Sequence, residues 1–282
     1  MLACGFCGAG RDVAGGAQTV GSRLGFGAGW NAKVGFANRL RILASSTGRF
    51  FAALINEQSW GLVTAQREEV LAQSKPVATA ERLTQPLDAT GLPTQAAWQT
   101  AAPIVFDHDW KAQNADPLRA TEVRLLWLAE TLFLRFTARY RELNVFEDSD
   151  ANGRRDHLWD RDVVEVFLQA DGSDPRIYKE FEFSPNGMWI DLDVNHGALS
   201  NPQSGLVRRV TVSAEEKTWV AEVAIPVKAL TAAFDPNKSW LVNFFRIEGS
   251  AEPRFYSAWN PTGTSEPSFH VPEAFAPLIF RQ

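Results

Sequence analysis

The stretch EVRLLWLAETLFLRFTARY, residues 122–140, decides the fold of this chain. It contains two runs rich in apolar, β-branched and aromatic side chains, EVRLLWL (122–128) and TLFLRFTARY (131–140). Runs of this length and composition are typical of β-strands. A connection as short as LAET (128–131) favours a hairpin between them. The stretch therefore predicts two neighbouring antiparallel strands.

Six further runs of the same kind follow the hairpin. Short turn sequences separate them, including Asn186-Gly187, a dipeptide that strongly favours a tight hairpin turn. Many short strands with almost no helical periodicity between them predict an all-β, antiparallel β-sandwich of jelly-roll or immunoglobulin-like type, which we assign to residues 76–282. The six runs are DVVEVFLQ (162–169), YKEFEF (178–183), MWIDLDV (188–194), LVRRVTVS (206–213), TWVAEVAIP (218–226) and WLVNFFRIE (240–248).

Residues 1–75 differ from the rest of the chain in composition and in the periodicity of their apolar residues. They are rich in Gly, Ala and Arg and show neither a helical nor a strand period. We interpret them as an N-terminal extension that is disordered or that stems from a start codon assigned too far upstream. Both cysteines, Cys4 and Cys7, lie here without a second Cys or His pair at zinc spacing, so we expect no zinc or redox site and no organic cofactor.

The composition excludes two classes of partner. The formal net charge is -5 and no long basic run occurs, whereas nucleic-acid binding needs clustered Lys and Arg. No apolar window of about 20 residues is present, so the sequence predicts no membrane span. We expect a monomer with a small-molecule or polymer ligand.

An ordered series of motifs marks a family resemblance. It begins with Asp88, Gly91 and Trp98 and continues through LWDRDVVEVFL (158–168), YSAWNP (256–261) and FHVPEAFAPLIF (269–280). Over about residues 80–282 the chain resembles the family 9 carbohydrate-binding module and its relatives in the DOMON-like group. The resemblance implies a β-sandwich that binds a sugar without cleaving it. It also implies a secreted or periplasmic location, although no signal peptide is readable.

The resemblance further implies that two tryptophans clamp a terminal sugar ring. By motif position these are Trp159 in HLWDRD and Trp259 in YSAWNP, and both stand at strand ends beside polar residues. An indole plane stacks on the apolar C–H face of a sugar ring, while the hydroxyls at the rim need fixed polar partners. The tryptophans inside the strand runs are instead expected in the core, as is Trp98.

The polar rim departs from the pattern of sugar-binding members. Tyr140 stands where those members have an aspartate, and Glu182 and Ser184 stand where they have an arginine and an asparagine. We therefore take Tyr140, Glu182 and Ser184 as candidate ligand-binding residues. Because a site built for particular hydroxyls rejects analogues, a changed rim predicts a changed ligand.

An acidic loop precedes Trp159. Asp148, Asp150, Asn152 and Gly153 follow the opening spacing of an EF-hand loop, in which oxygens at alternate positions converge on one ion. The twelfth position, usually a glutamate, is Trp159, so Asp156, Asp160 or Asp162 would have to supply the remaining oxygens. The loop predicts a structural calcium ion; the alternative is an acidic surface loop.

Two other functions remain open. Glu165 and Glu222 lie within apolar runs and could form the carboxylate pair of a glycoside hydrolase; alternatively each accepts hydrogen bonds from Arg124, Arg135 or Arg246. Haem ligation through Met188 is a further alternative. Our leading hypothesis is non-catalytic binding of a plant-type or other polysaccharide, or its terminal sugar, in support of glycan breakdown.

Overall fold

The computed structural model describes residues 75–150, 152–170 and 172–282, together with the short strands Leu43–Ala44 (β1) and Phe50–Phe51 (β2). The chain divides into two units, Met1–Arg67 and Glu68–Gln282, and β1 pairs with β2 in the first. Apart from those four residues, the predicted extension and its cysteine pair lie outside the described residues. The predicted boundary near residue 75 stays a prediction.

The second unit is built almost entirely of strands. All eight predicted runs form strands, so the all-β prediction is confirmed. One helical turn, Gln95–Trp98 (α1), and the 3-10 turns Pro117–Arg119, Leu158–Asp160, Val227–Ala229 and Pro272–Ala274 connect them. No helix in the described part of the chain is long and apolar enough to cross a membrane. The strands are β3 (Ala78–Arg82), β4 (Ile104–Phe106), β5 (Thr121–Leu128), β6 (Thr131–Arg139), β7 (Val163–Gln169), β8 (Ile177–Phe183), β9 (Trp189–Asn195), β10 (Ala198–Ser200), β11 (Val207–Ser213), β12 (Thr218–Pro226), β13 (Trp240–Glu248), β14 (Phe255–Ala258) and β15 (Ala276–Arg281).

These strands form one curled sheet. Its order is β10-β9-β8-β7-β13-β15-β3-β5-β6-β12-β11, with β4 beside β5 and β14 beside β13. The predicted β5–β6 hairpin is present, with Leu128 opposite Thr131. Because the hydrogen-bonded path runs unbroken from edge to edge, the division into two separate sheets that defines a sandwich stays a prediction.

The concave side of the sheet encloses the main core. Phe136 on β6 meets Phe183 on β8 and Phe244 on β13, with ring centroids 6.5 and 6.1 Å apart, so the two halves of the sheet pack against each other. Burying these apolar surfaces is the main favourable term for the fold. The strand tryptophans lie in this core as predicted: Trp127, Trp189, Trp219 and Trp240.

The outer faces of the sheet are covered separately. Neighbouring residues of a strand point to opposite sides, so Phe244 faces the main core and Phe245 faces outward. Phe245 belongs to an outer-face cluster on β7, β8, β9 and β13, which loops from residues 146–159 and 256–275 cover. On the other half, Trp98 of α1 is fully buried against Leu126 and Phe133. The prediction that Trp98 anchors the core is confirmed.

A buried ion cluster ties the loop before β7 to the sheet. Arg246 is fully buried and donates to Glu248 at 2.9 Å. Beside it, the Asp162 carboxylate accepts from the backbone N–H groups of Asn144 at 3.0 Å and Gly249 at 2.7 Å. These bonds fix the ends of the segment that carries Trp159.

Candidate functional site

Trp159 lies in the 3-10 turn Leu158–Asp160, directly before β7. The buried Leu158 anchors this turn, while the Trp159 indole is half-buried against the outer-face cluster. Arg254 donates to the Trp159 carbonyl at 2.6 Å, and the His157 ring lies 4.7 Å from the indole. The turn therefore holds the indole in place at the edge of the cluster.

A groove of about 210 Å³ opens beside this indole. It is smaller than the roughly 300–1,000 Å³ typical of pockets for drug-sized ligands, so it suits one small ring. A second cavity of about 410 Å³ adjoins it and shares Leu199 and His270. The groove is lined chiefly by Trp159, Glu165, Glu180, Leu199, Phe269 and His270.

Three glutamates lie together at the floor of the groove. Glu165 on β7 pairs across the ladder with Glu182 on β8, and Glu180 lies two residues away on the same face. Their carboxylate oxygens lie within 4.8 Å of one another, and the residues are 2, 0 and 3% exposed for Glu165, Glu182 and Glu180. We call these three residues the glutamate cluster. Carboxylates this deeply buried are rare unless they are paired.

Burial raises the pKa of all three carboxyl groups, because water no longer stabilises their charged forms. The Glu180 charge adds to the rise at Glu165, which Arg254 opposes. Glu165, Glu180 and Asp160 add to the rise in the pKa of Glu182. Ionised together, the three carboxylates would form a local excess of negative charge, which Arg254 offsets at Glu165.

The structure does not bring Trp259 to this groove. The Trp259 ring packs on Phe244, with centroids 5.4 Å apart, and borders the main core. Trp159 instead borders the outer-face cluster that contains Phe245. The two indoles therefore lie on opposite faces of β13, and this arrangement does not form the predicted paired clamp.

The predicted rim residues separate as well. Tyr140 is buried in the main core, where its hydroxyl donates to the Ser213 carbonyl at 3.4 Å. Ser184 is fully buried after β8 and does not line the groove. Glu182 alone joins the site, as part of the glutamate cluster.

The acidic loop keeps its carboxylates apart. Asp150 accepts from the backbone N–H groups of Asn152 and Arg154, both at 2.8 Å, and Asp148 pairs with Arg155 at 3.4 Å. Asp156 and Asp160 are exposed. Within the described ranges, the side chains that lie close enough together to bind one metal ion are those of the glutamate cluster, and this cluster contains no residue of the acidic loop. In this arrangement the loop oxygens do not fit a shared ion, and calcium there stays a prediction.

The predicted glycosidase pair is wrong. Glu165 shares a strand face with Phe167 in the outer-face cluster, whereas Glu222 shares one with Ala224, which packs near Trp98 on the other outer face. Glu222 pairs with Arg209 at 2.6 Å and with Arg135 at 3.9 Å, so the predicted structural role with an arginine is confirmed for it. Among the described residues, none forms such an ion pair with Glu165. Met188 packs in the outer-face cluster.

Several groove residues were missed by the sequence reasoning. Phe269 and His270 lie in FHVPEAFAPLIF, which served only as a motif of the family resemblance, and the Phe269 ring stacks on Phe245 with centroids 4.3 Å apart. Glu180 carried a usable signal, because Glu180 and Glu182 share one strand face in an otherwise apolar run. Their proximity to Glu165 depends on the β7–β8 register.

Solved structures share this fold. One is a protein of Bacteroides uniformis provisionally described as carbohydrate-binding, with a TM-score of 0.59, 17% identity, and coverage of 74% of this chain and 100% of that one. Another is a family 9 carbohydrate-binding module of Caldicellulosiruptor kristjanssonii in complex with cellotriose, with a TM-score of 0.51, 11% identity, and coverage of 73% and 94%.

Sequence relatives include an extracellular protein of Arthroderma benhamiae, 27% identical over 62% of this chain and 85% of that protein. The UPF0462 protein C4orf33 homolog of Rattus norvegicus is 30% identical over 44% of this chain, and the match spans 61% of the rat protein. A family model described as carbohydrate family 9 binding domain-like matches residues 88–275. The chain therefore belongs to the carbohydrate family 9 binding domain-like family.

Proposed function

We propose that the groove beside Trp159 binds a carbohydrate without cleaving it. The observation that carries the proposal is the fixed, half-buried indole at the edge of a small groove with carboxylates at its floor. Family membership and the cellotriose complex of the Caldicellulosiruptor module support the ligand class.

The site differs from a clamp made of two tryptophans. The Trp159 indole offers a flat apolar face for the C–H groups of one sugar ring. His270 and Phe269 line the groove with it, and Glu165 and Glu180 accept hydrogen bonds from sugar hydroxyls. The adjoining cavity leaves room for a second ring, so the proposed ligand is a short oligosaccharide or a chain end.

The proposed setting is outside the cell. The fungal relative is named an extracellular protein, which supports this location. There the monomeric domain would hold a glycan for an enzyme that degrades it. Binding without cleavage is further supported because Glu165 and Glu222 lie on opposite outer faces of the curled sheet.

The test is binding of glucose, cellotriose and a glycan array to the purified full chain. Quenching of tryptophan fluorescence and titration calorimetry report binding. We expect Trp159→Ala to weaken binding at least tenfold, because stacking on an aromatic ring adds about 1 kcal/mol or more to simple area burial. Reducing-end assays on the same glycans report cleavage.

Trp259→Ala is the matched control, since this indole lies on the opposite face of β13. It is expected to leave affinity within about twofold once thermal melting shows that the variant is folded. Equal affinity of Trp159→Ala and the native chain, or a loss confined to Trp259→Ala, contradicts the proposed site. Product release from a glycan contradicts binding without cleavage.

A further inference from the structure

When its carboxyl groups are ionised, the glutamate cluster carries more negative charge than the described chain neutralises. Glu165, Glu180 and Glu182 are almost fully buried, and no hydrogen-bond donor in the described ranges reaches Glu165 Oε1, Glu180 Oε2 or either oxygen of Glu182. Buried polar atoms are nearly always satisfied, and buried charges are paired or bind metals. Two of the three residues, Glu165 and Glu180, line the groove, and Glu182 is fully buried beside them.

We propose that Glu165, Glu180 and Glu182 bind one calcium ion at the floor of the groove. Calcium takes carboxylate oxygens at about 2.3–2.6 Å, so two ligands on opposite sides of the ion lie about 4.8 Å apart. One oxygen from each of the three residues lies within 4.8 Å of the other two, so a single calcium ion can bind all three residues. Magnesium demands a near-ideal octahedron and gives up its waters reluctantly, so a buried group of carboxylates suits calcium better.

The charge balance favours a divalent ion over a protonated amine. Three ionised carboxylates carry three negative charges, and the nearby cation that acts on Glu165 is Arg254. A calcium ion together with the Arg254 guanidinium neutralises all three. An ammonium group in place of calcium leaves one negative charge buried, which is costly in a low dielectric.

The proposed ion lies at the glutamate cluster and not in the acidic loop for which the sequence predicts calcium. Arg254 connects the glutamate cluster to the turn that holds the Trp159 indole, because it donates to the Trp159 carbonyl at 2.6 Å. An ion on the cluster would also leave coordination positions toward the groove, since calcium takes six to eight oxygens. Water or sugar hydroxyls can fill these positions.

The experiment titrates CaCl2 into the metal-stripped full chain by calorimetry and follows thermal melting without any sugar. We expect saturable binding of one ion, a rise in Tm, and at least tenfold weaker binding in both Glu182→Gln and Glu165→Gln. These near-isosteric variants remove charge from the cluster, so folding is retained. MgCl2 is expected to bind at least tenfold more weakly.

Asp150→Asn is the matched control in the acidic loop, and its calcium affinity is expected to equal that of the native chain. Loss of binding in Asp150→Asn with full binding in Glu182→Gln overturns the proposal and locates the ion in the loop. Absence of any response to CaCl2 overturns it too. Because no sugar is present, the result is independent of the carbohydrate proposal.

Discussion

Arg246→Met removes a completely buried cation that lies beside the carboxylates of Glu248 and Asp162. Arg246 is 0% exposed, bonds Glu248 at 2.9 Å and lies 5.3 Å from the Trp219 ring. Breaking a buried ion pair by removing one partner costs about 3–5 kcal/mol, because the remaining charge is left without compensation. Arg119 still reaches Glu248 at 3.1 Å, so we expect the lower end, about 3 kcal/mol.

Urea denaturation followed by tryptophan fluorescence and circular dichroism measures this loss. For a domain of this size, a 3 kcal/mol loss lowers Tm by about 6–12 °C. The double variant Arg246→Met/Glu248→Gln is expected to be more stable than the single variant by about 1 kcal/mol or more, because the uncompensated carboxylate is gone.

Arg281→Met is the control, since Arg281 and Glu81 form an exposed pair at 3.4 Å that should contribute at most about 1 kcal/mol. The expected loss is refuted if the free energy of unfolding of Arg246→Met lies within about 1 kcal/mol of that of the native chain, or if the double variant is no more stable than the single one.

Three further outcomes are expected. Burial raises the pKa of Glu165 and Glu182, so the folded chain keeps protons that the unfolded chain has lost. In EDTA, the free energy of unfolding should fall as the pH rises above the ordinary glutamate pKa of 4.5, by about 1.4 kcal/mol per pH unit for each kept proton, and Glu182→Gln should flatten this slope; an unchanged slope in urea titrations argues against it. Trp98→Ala should cost about 3–5 kcal/mol in the same assay, because a fully buried indole leaves a cavity; a loss below about 1 kcal/mol contradicts its anchoring role. Gly153→Ala should lower Tm and cost about 1–2 kcal/mol, since Gly153 has φ +77° and an added Cβ would lie 2.8 Å from Arg208 Nη2; an unchanged Tm contradicts the strain.

Local patterns predicted the strands because strand formation depends on nearby residues. The alternation in residues 131–140 and the short LAET link were enough for the β5–β6 hairpin, and the fully buried Trp219 followed from its place in an apolar run. The position of Trp159 at the start of β7 was also readable. The residues that line the groove with this indole could not be predicted, because Phe269 and His270 follow Trp159 by more than a hundred residues.

The glutamates show the same limit. Each one, taken alone, was compatible with a hydrogen bond to an arginine, and for Glu222 this holds through Arg209 and Arg135. For Glu165 it does not, since its neighbour across the ladder is Glu182. A shift of the register by one residue would have put Glu182 on the other face.

The sequence by itself determined the all-β class, the core tryptophans and the family, since these depend on composition, alternation and the order of motifs along the chain. Only the tertiary structure decided which side chains share a site. The curl of the sheet and the alternation along β13 place Trp259 at the main core and Trp159 on the outer face. The β7–β8 register then brings three carboxylates together beneath Trp159, because contacts between distant strands depend on how the whole sheet is paired.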